Sequence, residues 1–121
     1  MRPWEGKKIL IVEDEAMVSV FLEEALQEIG CVVAGVAAGA GEATAIIDSQ
    51  VLDAAILDVN LGSGTSYDIA RILRRQGVPF VFATGYGSVG VPPEFAGVPF
   101  LTKPFTEDEL AQALGKVFGT A

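Results

Sequence analysis

Five runs of strand length, at residues 8–12, 32–37, 54–58, 78–83 and 98–102, are apolar almost without interruption. Such runs suit strands buried on both faces better than strands with one wet face. Between them lie segments with helical periodicity. Val18, Phe21, Leu22, Ala25, Leu26 and Ile29 make one stripe, and Leu110, Ala113, Leu114, Val117 and Phe118 make another. Shorter helical patterns cover 41–49 and 67–76. Gly30 is placed to stop the first helix, Ser66 to N-cap the third and Gly77 to follow its end. Thr106 and Glu109 have the spacing of a capping box. Strands alternating with helices predict βαβ units, a parallel sheet with right-handed crossovers, and a three-layer, doubly wound α/β sandwich formed by one domain over 1–121. One interval breaks the pattern. Residues 85–97 carry four glycines and two prolines where a fourth crossover helix belongs, so that element is expected to be short, irregular or mobile.

A chain of 121 residues, half of them apolar, buries a core without disulfides or a structural metal. Its single cysteine, Cys31, sits in the apolar run Cys31-Val32-Val33-Ala34 and reads as a small buried hydrophobe. Histidine is absent, which excludes Ser-His-Asp and Cys-His nucleophile activation and any His-ligated metal. A net charge of −8 disfavours nucleic acid and anionic lipid as partners. With no signal peptide and no stretch near the roughly 20 apolar residues of a membrane span, the expected location is the cytoplasm.

Carboxylates must therefore carry the chemistry. In an open parallel sheet ligands collect beyond the carboxyl ends of the strands, and four such ends are loaded here: Glu13-Asp14, Asp58, Thr84 and Lys103-Pro104. Three carboxylates in one crevice repel one another unless a cation sits among them. Mg²⁺ suits that place as a hard, oxygen-seeking ion, and Lys103 adds a second positive charge. Asp58, closing the central strand, is the natural nucleophile toward a phosphoryl group, and adjacent Glu13 and Asp14 suit the metal.

At this point the chain resembles the receiver domains of response regulators over nearly its whole length. The stretches that carry the resemblance are Ile11-Val12-Glu13-Asp14-Glu15, Leu57-Asp58-Val59-Asn60-Leu61, Ala83-Thr84-Gly85 and Leu101-Thr102-Lys103-Pro104-Phe105. The resemblance implies a flavodoxin-like strand order 2-1-3-4-5. It implies Mg²⁺ on Glu13, Asp14, Asp58 and the Asn60 carbonyl, phosphorylation of Asp58, and Thr84 and Lys103 on the phosphoryl oxygens. It further implies a cis Lys103-Pro104 bond and an aromatic switch at Phe100, where Tyr is common in the family. Glu13 stands where many members have Asp, and its longer side chain reaches a metal through water as readily as directly. The run Phe82-Ala83-Thr84-Gly85-Tyr86-Gly87 is similar to the alphaproteobacterial FATGUY subgroup, although its Tyr86 directly follows Gly85. That subgroup is paired with histidine kinases of the HWE and HisKA2 classes.

The implied activity is a two-component signalling switch, not an enzyme with separate turnover. It takes phosphate from a sensor histidine kinase or a histidine phosphotransfer protein and then changes its affinity for a downstream protein, as a monomer or weak dimer. With no effector domain after Ala121, a single-domain regulator is expected; a phosphate sink, or a fragment of a larger regulator or hybrid kinase, is the alternative. A haloacid-dehalogenase-like phosphatase would place Asp-x-Asp after its first strand, where this chain has Glu13-Asp14. A phosphate-independent pseudo-receiver would not need intact Asp14, Asp58, Thr84 and Lys103. A dinucleotide site would need a glycine-rich first turn. Arg71, Arg74 and Arg75 form a basic helix face that reads first as solvated surface.

Overall fold

A computed structural model describes residues 2–62, 64–85 and 90–119. Its elements run β1 (Lys8–Val12), α1 (Ala16–Glu28), β2 (Val32–Ala37), α2 (Ala40–Ser49), β3 (Ala54–Asp58), α3 (Tyr67–Arg75), β4 (Phe80–Thr84), a 3₁₀ turn (Pro93–Phe95), β5 (Phe100–Thr102) and α4 (Glu107–Phe118). The five strands are parallel, in the order β2-β1-β3-β4-β5. This is the expected three-layer sandwich.

Strand pleating divides the core in two. Ile9, Ile11, Ala54, Ile56, Val81, Ala83 and Leu101 point toward Leu22 and Leu26 of α1 and Leu110 and Leu114 of α4. Their neighbours Leu10, Val12, Ala55, Leu57, Phe80 and Phe82 point the other way, toward Ile47 of α2 and Ile69 and Leu73 of α3. Every residue of β3 is buried, so Asp58 is carried into the centre of the molecule on an apolar strand. Cys31 is buried as expected, its thiol 3.4 Å from the Trp4 carbonyl and pushed up to about 11 by desolvation.

The helix stops are as the sequence predicts. Gly30 and Gly77 take φ of 98° and 75°, and the amide after each returns to the helix, Cys31 to Leu26 O and Val78 to Leu73 O. These are Schellman closures. Thr106 and Glu109 form the complete capping box.

Several boundaries move. β4 and β5 each begin two residues later than their apolar runs, because Val78-Pro79 and Val98-Pro99 precede the paired segments and proline cannot donate to a ladder. The stripe of α1 holds at Val18, Leu22, Ala25, Leu26 and Ile29, but Ser19 is also buried and Phe21 is partly exposed, lining with Met17 a groove beside the Lys103-Pro104-Phe105 turn.

Among the described residues of the interval 85–97 the only helical element is the 3₁₀ turn, and no α-helix is seen; 86–89, and the expected mobility there, lie outside the described residues. The 3₁₀ turn is tied down. Phe95 packs among Tyr67, Phe80 and Phe82. Arg71 makes a two-pronged pair with Glu94 at 2.8 and 3.0 Å, and Arg74 donates to the Glu94 carbonyl at 2.7 Å. Two arginines read as solvated surface are thus spent on an internal contact, and Arg71 holds the Glu94 carboxyl below its usual range.

Ser66 also differs. It precedes α3 in place, but its backbone is not extended and its hydroxyl makes no cap; the oxygen is fully buried with no hydrogen-bond partner among the described residues. Ser66→Ala should therefore spare the protein the loss of about 1 kcal/mol that removing a working cap causes, and leave the unfolding midpoint unchanged or raised. A cap-sized loss in thermal unfolding would contradict this.

Candidate functional site

The strand order reverses between β1 and β3, and the loaded strand ends meet there. Glu13 leaves β1 with its amide bonded to Ala37 O at 2.9 Å. Asp58 closes β3 opposite Ala83 of β4, and Thr84 follows one residue on. Lys103 follows β5 with its amide on Thr84 O at 2.8 Å. The Lys103-Pro104 peptide is cis, as the resemblance implies.

Carboxylate oxygens of Glu13, Asp14, Glu15 and Asp58 all come within 4.8 Å of one another. Lys103 Nζ reaches three of these side chains: Glu13 Oε1 at 3.0 Å, Asp58 Oδ2 at 3.2 Å and Glu15 Oε1 at 3.7 Å. The other Glu13 oxygen accepts the Glu15 amide at 3.1 Å. Glu13 and Asp58 are buried, at 2% and 5% exposure, whereas Asp14 and Glu15 face solvent. The crevice is dry at its base and open at its mouth.

Burial raises the Glu13 carboxyl, and its hydrogen bond with Asp58 raises it further; Lys103 and the Glu15 amide oppose them, and the result is about 7. Burial works against the Lys103 charge, but the hydrogen bond to Glu13 and the charge of Asp58 outweigh it and hold Lys103 above its ordinary value. Four clustered carboxylates with a buried member protonated near neutrality make a donor set short of positive charge. The oxygen chemistry and the solvent-facing Asp14 fit Mg²⁺.

The sequence-derived residues thus converge, with one addition and two differences in setting. Glu15 belongs to the cluster and had no assigned role; its signal was the run of three acids after β1. Asn60 folds its loop back, its amide 3.3 Å from Asp58 Oδ1 and its side-chain oxygen accepting from the Gly62 amide at 3.1 Å. Phe100 is 46% exposed, aligned with Phe82 two residues before the Thr84–Thr102 pair. Tyr86 lies outside the described residues.

The parallel sheet with an acidic crevice at its switch point is the architecture of a signalling receiver. The chain belongs to the response regulator receiver domain family, whose model matches residues 9–115. It is 39% identical over 112 residues to the transcriptional regulatory protein TcrA of Mycobacterium tuberculosis, a match covering 87% of this chain and 43% of TcrA. The chain therefore spans less than half the length of that relative. Among solved structures it is similar to SdrG from Sphingomonas melonis Fr1, with a TM-score of 0.83 and 39% identity over 97% of this chain and 98% of that one. It is also similar to TrrA from Thermotoga maritima, solved in complex with Mg²⁺ and BeF, with a TM-score of 0.80 and 27% identity over 92% and 98% of the two chains. Receivers of this family act as phosphorylation switches that bind Mg²⁺ in such a pocket. Among the described residues no helix is long and apolar enough to cross a membrane.

The Glu13 shift sets a pH dependence. The unfolded chain releases this proton near 4.5 and the folded one near 7, so the folded state binds more protons between those values. Its stabilising contribution is complete below 4.5 and is lost as pH rises to 7, by on the order of 3 kcal/mol. Unfolding of metal-free protein at several pH values should show this loss, with added Mg²⁺ restoring stability most at the high-pH end. A midpoint that rises from pH 5 to 8 without metal would contradict it.

Proposed function

We propose that this chain is a cytoplasmic, single-domain response regulator in which Asp58 accepts a phosphoryl group and Thr84, Lys103 and Phe100 read it out. The observation that carries the reading is Asp58 buried at a strand end with an ammonium 3.2 Å from its oxygen and three further carboxylates around it. A carboxylate at a strand end with an ammonium beside it is placed to act as a nucleophile toward a phosphoryl group.

The donor is a phosphohistidine on a sensor histidine kinase, of the HWE or HisKA2 class by the FATGUY-like run, or on a histidine phosphotransfer protein. An Asp58 oxygen bonds to phosphorus as the phosphorus–nitrogen bond breaks, and the histidine nitrogen keeps that electron pair. Water later attacks the aspartyl phosphate, releasing phosphate and restoring the carboxylate. Mg²⁺, when bound, supplies positive charge against the carboxylates and the phosphoryl oxygens. Asp14 and Asp58 would hold it directly, with the Asn60 carbonyl. Glu13, whose two oxygens already face Lys103 and the Glu15 amide, would reach it through water.

Phosphorylation adds roughly −1.5 to −2 of charge beside Lys103 and Thr84. Two charge-assisted hydrogen bonds at about 1.5 to 3 kcal/mol each supply about 3 to 6 kcal/mol, against the roughly 5.5 kcal/mol that takes a switch from 1:99 to 99:1. Thr84 turns toward the phosphate and the half-exposed Phe100 moves into the space behind it. The altered β4–β5 surface then meets a downstream protein; the net charge of −8 favours a protein over nucleic acid as that target.

Incubation with Mg²⁺ and acetyl phosphate, followed by intact mass measurement, should show one added phosphoryl group on the wild type and none on Asp58→Asn or in excess chelator. Labelling of both proteins, or of neither, would remove the proposal.

A further inference from the structure

We infer that Gly62 is a positioning residue for the metal-binding carboxylate of Asp14, an inference that rests on the receiver-site reading above. The loop between β3 and α3 doubles back on itself. Asn60 bridges to Thr65 in antiparallel fashion, the Leu61 amide donates to Gly64 O at 2.8 Å, and the Ser66 amide donates to Val59 O at 3.0 Å. Gly62 stands at the fold of this loop, its amide on the Asn60 side-chain oxygen and its φ at +76°. A methyl group added there would lie 3.0 Å from Asp14 Oδ2. That is closer than such carbons are ordinarily found, and the carboxylate would have to give way.

The contact is particular to this glycine. Gly6, Gly77, Gly90, Gly97 and Gly119 also have positive φ, and a methyl group on any of them would meet nothing within 4 Å; on Gly30 it would meet the side chain of Glu5, far from the site. At those positions glycine answers only a backbone requirement. At Gly62 it also leaves the space in which Asp14 stands. Asp14 is solvent-facing and no hydrogen bond within the described residues is seen to fix its side chain, so the bare loop wall forms one boundary on where its oxygens lie. The same turn carries Asn60, whose amide lies 3.3 Å from Asp58 Oδ1, so one loop borders both Asp14 and Asp58.

Backbone strain and displacement of Asp14 are separable, because Gly77 offers the same φ, 75°, with open space around it. Mg²⁺ dissociation constants should be measured by calorimetry or chemical-shift titration for wild type, Asp14→Asn, Gly62→Ala, Gly62→Asn and Gly77→Ala, with thermal unfolding of each alongside. Both glycine-to-alanine variants should lose thermal stability to a similar degree. Only the Gly62 variants should weaken Mg²⁺, by about tenfold or more, the scale seen when a group that orients a ligand is changed. Gly62→Asn has the same β-carbon but tolerates positive φ better, so it keeps the metal measurement available if the alanine variant is too unstable. Wild-type Mg²⁺ affinity in the Gly62 variants, or an equal loss in Gly77→Ala, would overturn the inference while leaving the site intact. Failure of wild type to bind Mg²⁺, or undiminished binding by Asp14→Asn, would overturn the receiver-site reading and this inference with it.

Discussion

The ammonium of Lys103, 3.0 Å from Glu13 and 3.2 Å from Asp58, permits acidic groups to share the dry base of one crevice. Its position is a consequence of the sheet. The amide of Lys103 is bound to Thr84 O, and Thr84 itself sits one residue past the partner of Asp58, so the β3–β4–β5 register delivers acid, hydroxyl and ammonium together. Removing water from two carboxylates is costly, and a single cation shared between them offsets that cost only in part. The remainder is visible at Glu13, whose carboxyl keeps its proton up to about 7. The site's own residues thus leave it under-neutralised, which suits it to a divalent cation.

The same shortage of positive charge makes the site responsive. Lys103 is divided among Glu13, Asp58 and Glu15, so in the proposed switch a phosphoryl group on Asp58 would compete for an ammonium that is already in reach and need not be recruited from solvent. The other elements of the proposed switch are near at hand. Phe100 is half exposed beside the Thr84–Thr102 pair, and β5 is only three residues long at the edge of the sheet. The 3₁₀ turn before β5 is moored to α3 through Glu94, Phe95 and their arginine and aromatic partners.

The features legible in the sequence were those with a period or a terminus. Continuous apolar runs marked strands, glycines at positive φ marked helix stops, and chemistry-bearing residues at strand ends marked the crevice. What escaped depended on tertiary neighbours. Arg71 and Arg74 have the spacing of a solvated face, and only the packing of Phe95 against α3 brings Glu94 to them. Ser66 has the identity of a cap but a backbone, φ −90° and ψ 9°, that turns its hydroxyl away from the role. Glu15 was one acid among three in a row until the sheet placed Lys103, at the end of β5, within 3.7 Å of it. Gly62 looked like one loop glycine among several, since its meeting with Asp14 joins loops that are far apart in sequence.

The shared ammonium is tested most directly by equilibrium unfolding of Lys103→Met against wild type, without Mg²⁺, at about pH 5 and about pH 8. If Lys103 is what holds the carboxylates together, the variant loses on the order of 3 kcal/mol at the higher pH. It loses clearly less at the lower pH, where Glu13 is already protonated. Equal stability of the two proteins at pH 8, or a loss that does not change with pH, would contradict the account.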